Sequence, residues 1–181
     1  MSQAPAPLIC VLGDAHLDVV VRISGPVAPD TDTAASTRVT VGGQGANVAA
    51  WVTALGGRSR LIAARAADTA AALVSSELTR RGVELTGPAI AGAHTGVVVS
   101  LSDGGSQRSM LTDRGAGPLL PADAIDPAWL DGCAWLHLPA YSLLAEPVQG
   151  AGGGGEKDAR KKGGALRSDT SSKAGRGKCR V

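Results

Sequence analysis

The chain has no phenylalanine, one tyrosine and three tryptophans in 181 residues. Any core must therefore be built from Ala, Val, Leu and Ile. No run approaches the roughly 20 apolar residues that a membrane span requires, so a membrane is not an expected partner. The N-terminus, MSQAPAPLICVLG, has no basic segment and only a short apolar run, so no signal peptide is expected. Cysteine is scarce as well. Cys10, Cys133 and Cys179 are odd in number and far apart. They give neither a metal-ligand spacing nor a disulfide framework, which agrees with a reducing compartment. Lysine is missing from residues 1–148, and all five lysines fall in 149–181.

What is present divides the chain in two. Hydrophobic residues make up 44%, too many for a disordered protein. Residues 1–148 carry nine Arg against thirteen Asp and Glu, a net of −4. Residues 149–181 carry nine Lys and Arg against three Asp and Glu, a net of +6, together with nine glycines. The change from Arg to Lys implies segments of different history. The tail, which includes GAGGGGEKDARKKGG, has no helical or strand period and is expected to be disordered.

Residues 8–148 read as a compact α/β unit. Buried strands are expected at Leu8–Leu12 and Cys133–Leu138, Val19–Ile23 is a second apolar run, and Arg60–Ala64 is strand-like. Thr33–Val41 alternates as a half-exposed strand. An Ala-rich helix is expected over Ala46–Leu55, with Gly56-Gly57 at its C-terminal cap. A second helix is expected over Thr69–Arg81, capped by Asp68 and closed by Gly82. Gly96–Leu101 and Arg108–Thr112 flank the turn Ser102-Asp103-Gly104-Gly105 as a hairpin. Pro121–Leu130 reads as a loop with a helical piece, and Tyr141–Ala145 as the start of a helix. Strands alternating with helices imply a largely parallel sheet with flanking helices. The polar strands at 33–41 and 96–112 do not suit its core and should pair as a small separate sheet.

Chemistry concentrates at Gly42-Gly43-Gln44-Gly45-Ala46-Asn47-Val48-Ala49. Closely spaced glycines let a backbone approach a ligand without a Cβ clash, and the N–H groups of the following helix point at whatever lies there. Asn47 can donate and accept, as a hydroxyl-rich ligand requires. The same spacing fits a tight turn with a capping Asn, and on spacing alone the two readings stand even. It is a poor dinucleotide fingerprint, because Gly43-x-Gly45-x-x-Val48 lacks the third glycine. Asp14 and His16 could act as an acid–base pair or simply form a polar loop. Asp113 and Arg114 could contact a ligand or pair at the surface. Asp18 could simply be a turn residue. Asp32 could touch a substrate or form a solvated turn, and His94 and His137 read as structural.

Gly-Gly-x-Gly-Ala-Asn, followed by an Ala-rich helix ending in Leu-Gly-Gly, resembles the first signature of the PfkB, or ribokinase-type, carbohydrate kinases. Val11-Leu12-Gly13-Asp14-Ala15-His16-Leu17-Asp18 resembles that family's opening strand and turn. Thr95–Val98 and Arg108–Ala116 resemble its lid hairpin and the segment after it. The resemblance covers residues 8–148 and implies a ribokinase-like α/β fold with a β lid. It implies that Asp18, Gly42, Gly43 and Asn47 contact sugar hydroxyls, with His16 and Arg114 as further substrate-site candidates. It also implies ATP and Mg²⁺ as cofactors, a sugar or nucleoside as substrate, and a homodimer formed through the lid.

Three positions depart from the pattern. Ala66 replaces a glycine, His16 stands where ribokinases commonly carry Asn, and Pro139-Ala140-Tyr141 stands where they place a sugar-contacting Glu. Ribose itself is therefore not the expected substrate. The Gly-Ala-Gly-Asp segment with which the family accepts the hydroxyl proton is not found. Gly150-Ala151-Gly152 is followed by Gly153, not Asp. On the resemblance, the chain is an incomplete kinase fold lacking the catalytic and ATP-binding half, and it is expected to be inactive alone. The competing class is a non-enzymatic interaction protein, pairing through its lid strands or binding acidic partners or nucleic acid through the +6 tail. The tail has no aromatic residue for base stacking, which weighs against nucleic acid.

Overall fold

A computed structural model of the chain describes residues 6–103 and 108–139. The expected helix at Tyr141–Ala145, the tail 149–181 and the Gly104-Gly105 part of the hairpin turn lie outside the described residues. In chain order the elements are β1 (Leu8–Leu12), β2 (His16–Ile23), β3 (Ala35–Gly42), α1 (Gln44–Ala54), β4 (Arg58–Ile62), α2 (Thr69–Arg80), β5 (Val83–Thr86), β6 (Thr95–Ser102), β7 (Arg108–Gly115) and β8 (Cys133–His137). Two short 3-10 turns, Ala122–Ala124 and Pro127–Leu130, take the place of the helical piece expected in 121–130.

The strands form two sheets. The first has the order β5-β4-β1-β8 and is parallel throughout. A parallel sheet must be covered on both faces, and its alternating side chains show how. Val11, Leu61 and Val83 pack under Ala46 and Ala49 of α1 and under Val74 and Leu78 of α2. Cys10, Leu12, Ile62 and Leu136 pack on the other face against Leu120, Ile125 and Leu130. The two α-helices thus share one face, and the segment with the 3-10 turns covers the other. Strand β5, with its mixed sequence Val-Glu-Leu-Thr, had no clear signal in the sequence. It is held as an edge strand by its register with β4.

The second sheet has the order β3-β2-β6-β7. Here the structure corrects the expectation of a small sheet made by residues 33–41 and 96–112 alone. Strands β3 and β6 do not pair with each other. Both flank β2, the former antiparallel and the latter parallel. The run Val19-Val20-Val21 imitates a core strand, but its three valines are only partly buried. Leu17, Val41 and Val97 at the base of this sheet join the α1–α2 core and tie the two sheets together.

Helix ends follow their local chemistry. After α1, Gly56 adopts φ 86°. Its N–H donates to the Thr53 carbonyl and that of Gly57 to the Val52 carbonyl, both at 2.9 Å. This is the paired closure that a left-handed glycine permits. Asp68 caps α2 as expected, accepting from the Ala71 amide at 2.7 Å. It also accepts from the amide of Thr95 at 2.8 Å and from its hydroxyl at 2.6 Å. One carboxylate therefore fastens the start of β6 to the start of α2. Among the described residues no helix is long and apolar enough to cross a membrane.

Candidate functional site

The β1–β2 corner and the β3–α1 junction lie side by side, because His16 and Gly42 are register partners. Their contact explains the glycine run. Gly13 and Gly45 meet backbone to backbone, and a Cβ on Gly13 would lie 2.8 Å from the Gly45 Cα. Gly43 has φ 104°, and a Cβ there would lie 2.6 Å from the Asp14 carbonyl oxygen. The first turn of α1 leaves the amides of Gln44, Gly45 and Ala46 without carbonyls in the helix. Asp14 takes two of them: its Oδ1 accepts from Gly45 at 3.3 Å and its carbonyl from Ala46 at 3.0 Å. The glycines thus admit the chain's own corner.

What the junction offers is side chains. In β2, alternation places His16 and Asp18 on one face. Asp18 is in register with Thr40 on one side and Val98 on the other. Its carboxylate occupies the space a Cβ on Gly42 would need. His16 Nε2 is 3.1 Å from Asp18 Oδ1, and His16 Nδ1 is 3.9 Å from Asp14 Oδ2. Arg114 of β7 brings its guanidinium to 3.8 Å from Asp14 Oδ2. Asn47 is exposed in the first turn of α1. Asp18, His16, Gly42, Gly43, Asn47 and Arg114 therefore gather around one junction, with Asp14 between them.

Asp14 and His16 do not form a close acid–base pair. At 3.9 Å they are beyond hydrogen-bond range, and the near carboxylate is that of Asp18. Asp113 and Arg114 do not pair either, since consecutive strand residues face opposite ways. Asp113 instead meets His94 Nε2 at 2.8 Å and accepts from the Gly115 amide at 3.0 Å. Those two bonds, the amide first, hold its carboxyl below the usual carboxylate range. Asp32 and His137 are exposed. Sequence reasoning missed the part Asp14 plays in capping α1. A polar residue directly after a strand-ending glycine was its one visible sign.

A second feature lies behind the corner. A cavity of about 20 Å³, room for about one water molecule, is lined by Ala15, Ala64, Arg65, Thr95, Gly96 and Ala116. Arg65 donates through Nη2 to the Gly87 carbonyl at 2.7 Å, and its Nε is buried without a partner among the described residues.

Residues 6–129 match the pfkB family carbohydrate kinase profile. A fructokinase of Escherichia coli is 32% identical over 141 residues, which are 77% of this chain and 42% of that protein. Among solved structures, a putative Ribokinase II from E. coli in its apo form superposes with a TM-score of 0.76 at 18% identity, over 87% of this chain and 51% of that one. A fructokinase from Xylella fastidiosa gives 0.72 at 20% identity, over 85% and 47%. At such identities the likeness shows the fold, which is ribokinase-like. The chain spans about half the length of these relatives. The family profile covers the corner, the glycine junction and the hairpin with one continuous match, and the chain belongs to the pfkB family of carbohydrate kinases.

Proposed function

We propose that residues 1–148 form the sugar-binding portion of an ATP-dependent carbohydrate kinase, a fold that moves the γ-phosphoryl group of ATP to a sugar or nucleoside hydroxyl. The observation that carries this reading is the seating of Asp18 over Gly42 and beside His16, at the junction where Asn47 opens α1 and Arg114 meets Asp14. A carboxylate accepts hydroxyl protons strongly, an amide both donates and accepts, and a guanidinium donates. That mix suits a polyol. Fructose is the first sugar to test, because the E. coli relative is named a fructokinase.

ATP and Mg²⁺ belong to the whole reaction, and a putative Ribokinase II of E. coli has been solved with both. The described residues do not fit them. Among these residues no group of three His, Cys, Asp or Glu could hold a metal ion, and the α1 amides are largely taken by Asp14. No phosphoryl-transfer step is therefore assigned to these residues.

We propose further that the protein pairs with a second copy through its second sheet. The register lines up Val39, Val19, Val99 and Leu111 across the face opposite Asp18.

The test is a fructose titration of the 181-residue chain by calorimetry, followed by incubation with ATP, Mg²⁺ and fructose. Binding is expected, and Asp18→Ala should abolish it. ADP release is expected to match a no-protein control, because no Gly-Ala-Gly-Asp segment is present. Absence of sugar binding, or binding untouched by Asp18→Ala, would overturn the site assignment.

A further inference from the structure

Arg114 is the cation of the proposed sugar site, and its aim is set at the base of the β6–β7 hairpin. Its guanidinium reaches toward Asp14, with Nη2 at 3.8 Å from Oδ2. Its backbone lies where β7 ends at Gly115, a residue with φ 47°. Glycine adopts that conformation freely but does not by itself hold it. A long side chain rooted beside so permissive a residue needs a further restraint to point one way.

Asp113 supplies that restraint. Its Oδ1 accepts from the Gly115 amide at 3.0 Å, which closes a bracket across Arg114, from the residue before it to the residue after it. Its Oδ2 meets His94 Nε2 at 2.8 Å. His94 leads into β6, and its carbonyl accepts from the Ala116 amide at 2.9 Å. The next residue, Thr95, is fastened to Asp68 at the start of α2. The Arg114 carbonyl accepts from the Gly117 amide at 2.9 Å and lies over Gly96, where a Cβ would come within 2.6 Å of it. The bracket is thereby tied to the body of the fold and not to the hairpin alone.

The His94 and Asp113 side chains are 64% and 62% exposed. A pair so open to water adds little to the stability of a fold. What it can do is hold local geometry, and the geometry it brackets is that of Arg114. We infer that Asp113, anchored by His94, is a positioning residue for Arg114: it fixes the backbone from which the guanidinium reaches the sugar site. The inference rests on the sugar-site reading above and deepens it. Asp113 faces the other side of the sheet, so it acts on a sugar only through Arg114.

Two measurements on the full 181-residue chain test it. The first needs no sugar. Asp113→Ala should lower the ¹⁵N relaxation order parameter of the Arg114 Nε–H bond, while the melting midpoint stays nearly unchanged. An order parameter unmoved by Asp113→Ala would overturn the inference and leave the sugar site standing.

The second is a double-mutant cycle on fructose affinity. Asp113→Ala should weaken binding by about tenfold. Asp113→Asn, which keeps an acceptor for the Gly115 amide, should weaken it by no more than about threefold. In an Arg114→Ala background, Asp113→Ala should cost nothing further. Equal losses in the two backgrounds would show that Asp113 does not act through Arg114, and the inference fails. It fails equally if Asp113→Ala binds fructose as the unaltered chain does. No fructose binding by the unaltered chain overturns the sugar reading instead, and the order parameter then decides by itself whether Asp113 holds Arg114.

Discussion

At Gly42 the missing Cβ is what gives the Asp18 carboxylate its place. The backbone there lies outside the left-handed region, so alanine is conformationally acceptable and the cost falls on the neighbour. Gly42→Ala should leave the thermal unfolding midpoint nearly unchanged and weaken fructose binding by about tenfold or more, as read by melting and titration of the same sample. Gly43 is a different case, since its φ of 104° and the Asp14 carbonyl at 2.6 Å would make a side chain costly to the fold itself. This contrast marks how far the site could be read from the residues. The glycine run and the candidates Asp18, His16, Asn47 and Arg114 were visible. Whether a glycine admits a ligand or another part of its own chain was not, because both leave the same composition. The structure assigns Gly13, Gly43 and Gly45 to contact between the corner and the helix, and Gly42 to the carboxylate.

Among the elements, α2 and β6 are joined by Asp68, and that joint has a pH signature. Hydrogen bonds from the Thr95 hydroxyl first, then from the Thr95 and Ala71 amides, hold its carboxyl down at about 2. A carboxylate depressed in the folded state stabilises the fold above its unfolded pKa of about 3.9, and that contribution is lost as pH falls toward the folded value. Asp68→Ala should cost about 2 kcal/mol near neutrality, from the cap and the charged hydrogen bonds together. The gap in melting temperature between the two proteins should narrow between about pH 4 and pH 2. A gap constant over that range would show that the charge on Asp68 is not what joins the elements. The cap itself was legible in Asp68-Thr69, whereas its bond to Thr95 spans 27 residues and leaves no local trace. Strand β2 shows the same limit. Its valine run gives the strand but not its sheet, because half-burial in a lid and full burial in a core call for the same β-branched residues.

For the whole molecule, the second sheet presents two different faces. One carries His16, Asp18 and Arg114 at the proposed sugar site. The other carries the row Val39–Val19–Val99–Leu111, with Val39 58% and Leu111 61% exposed. A polar face needs no cover beyond water and ligand, but an apolar row across four strands is the kind of surface that proteins bury in association. A second copy is the occupant that matches it best, since a two-fold contact sets the same row against itself and closes without leaving a further sticky surface. The charged substitutions that test this lie away from Asp18, so assembly and sugar binding can be separated. Val39→Lys combined with Leu111→Lys should convert a sedimenting dimer of the 181-residue chain to monomer while fructose affinity is retained. If the unaltered chain sediments as a monomer at the highest concentration at which it stays soluble, the pairing is wrong. If the double variant loses assembly and sugar binding together, the lid face is holding the site in shape, and the two faces of the sheet are not independent.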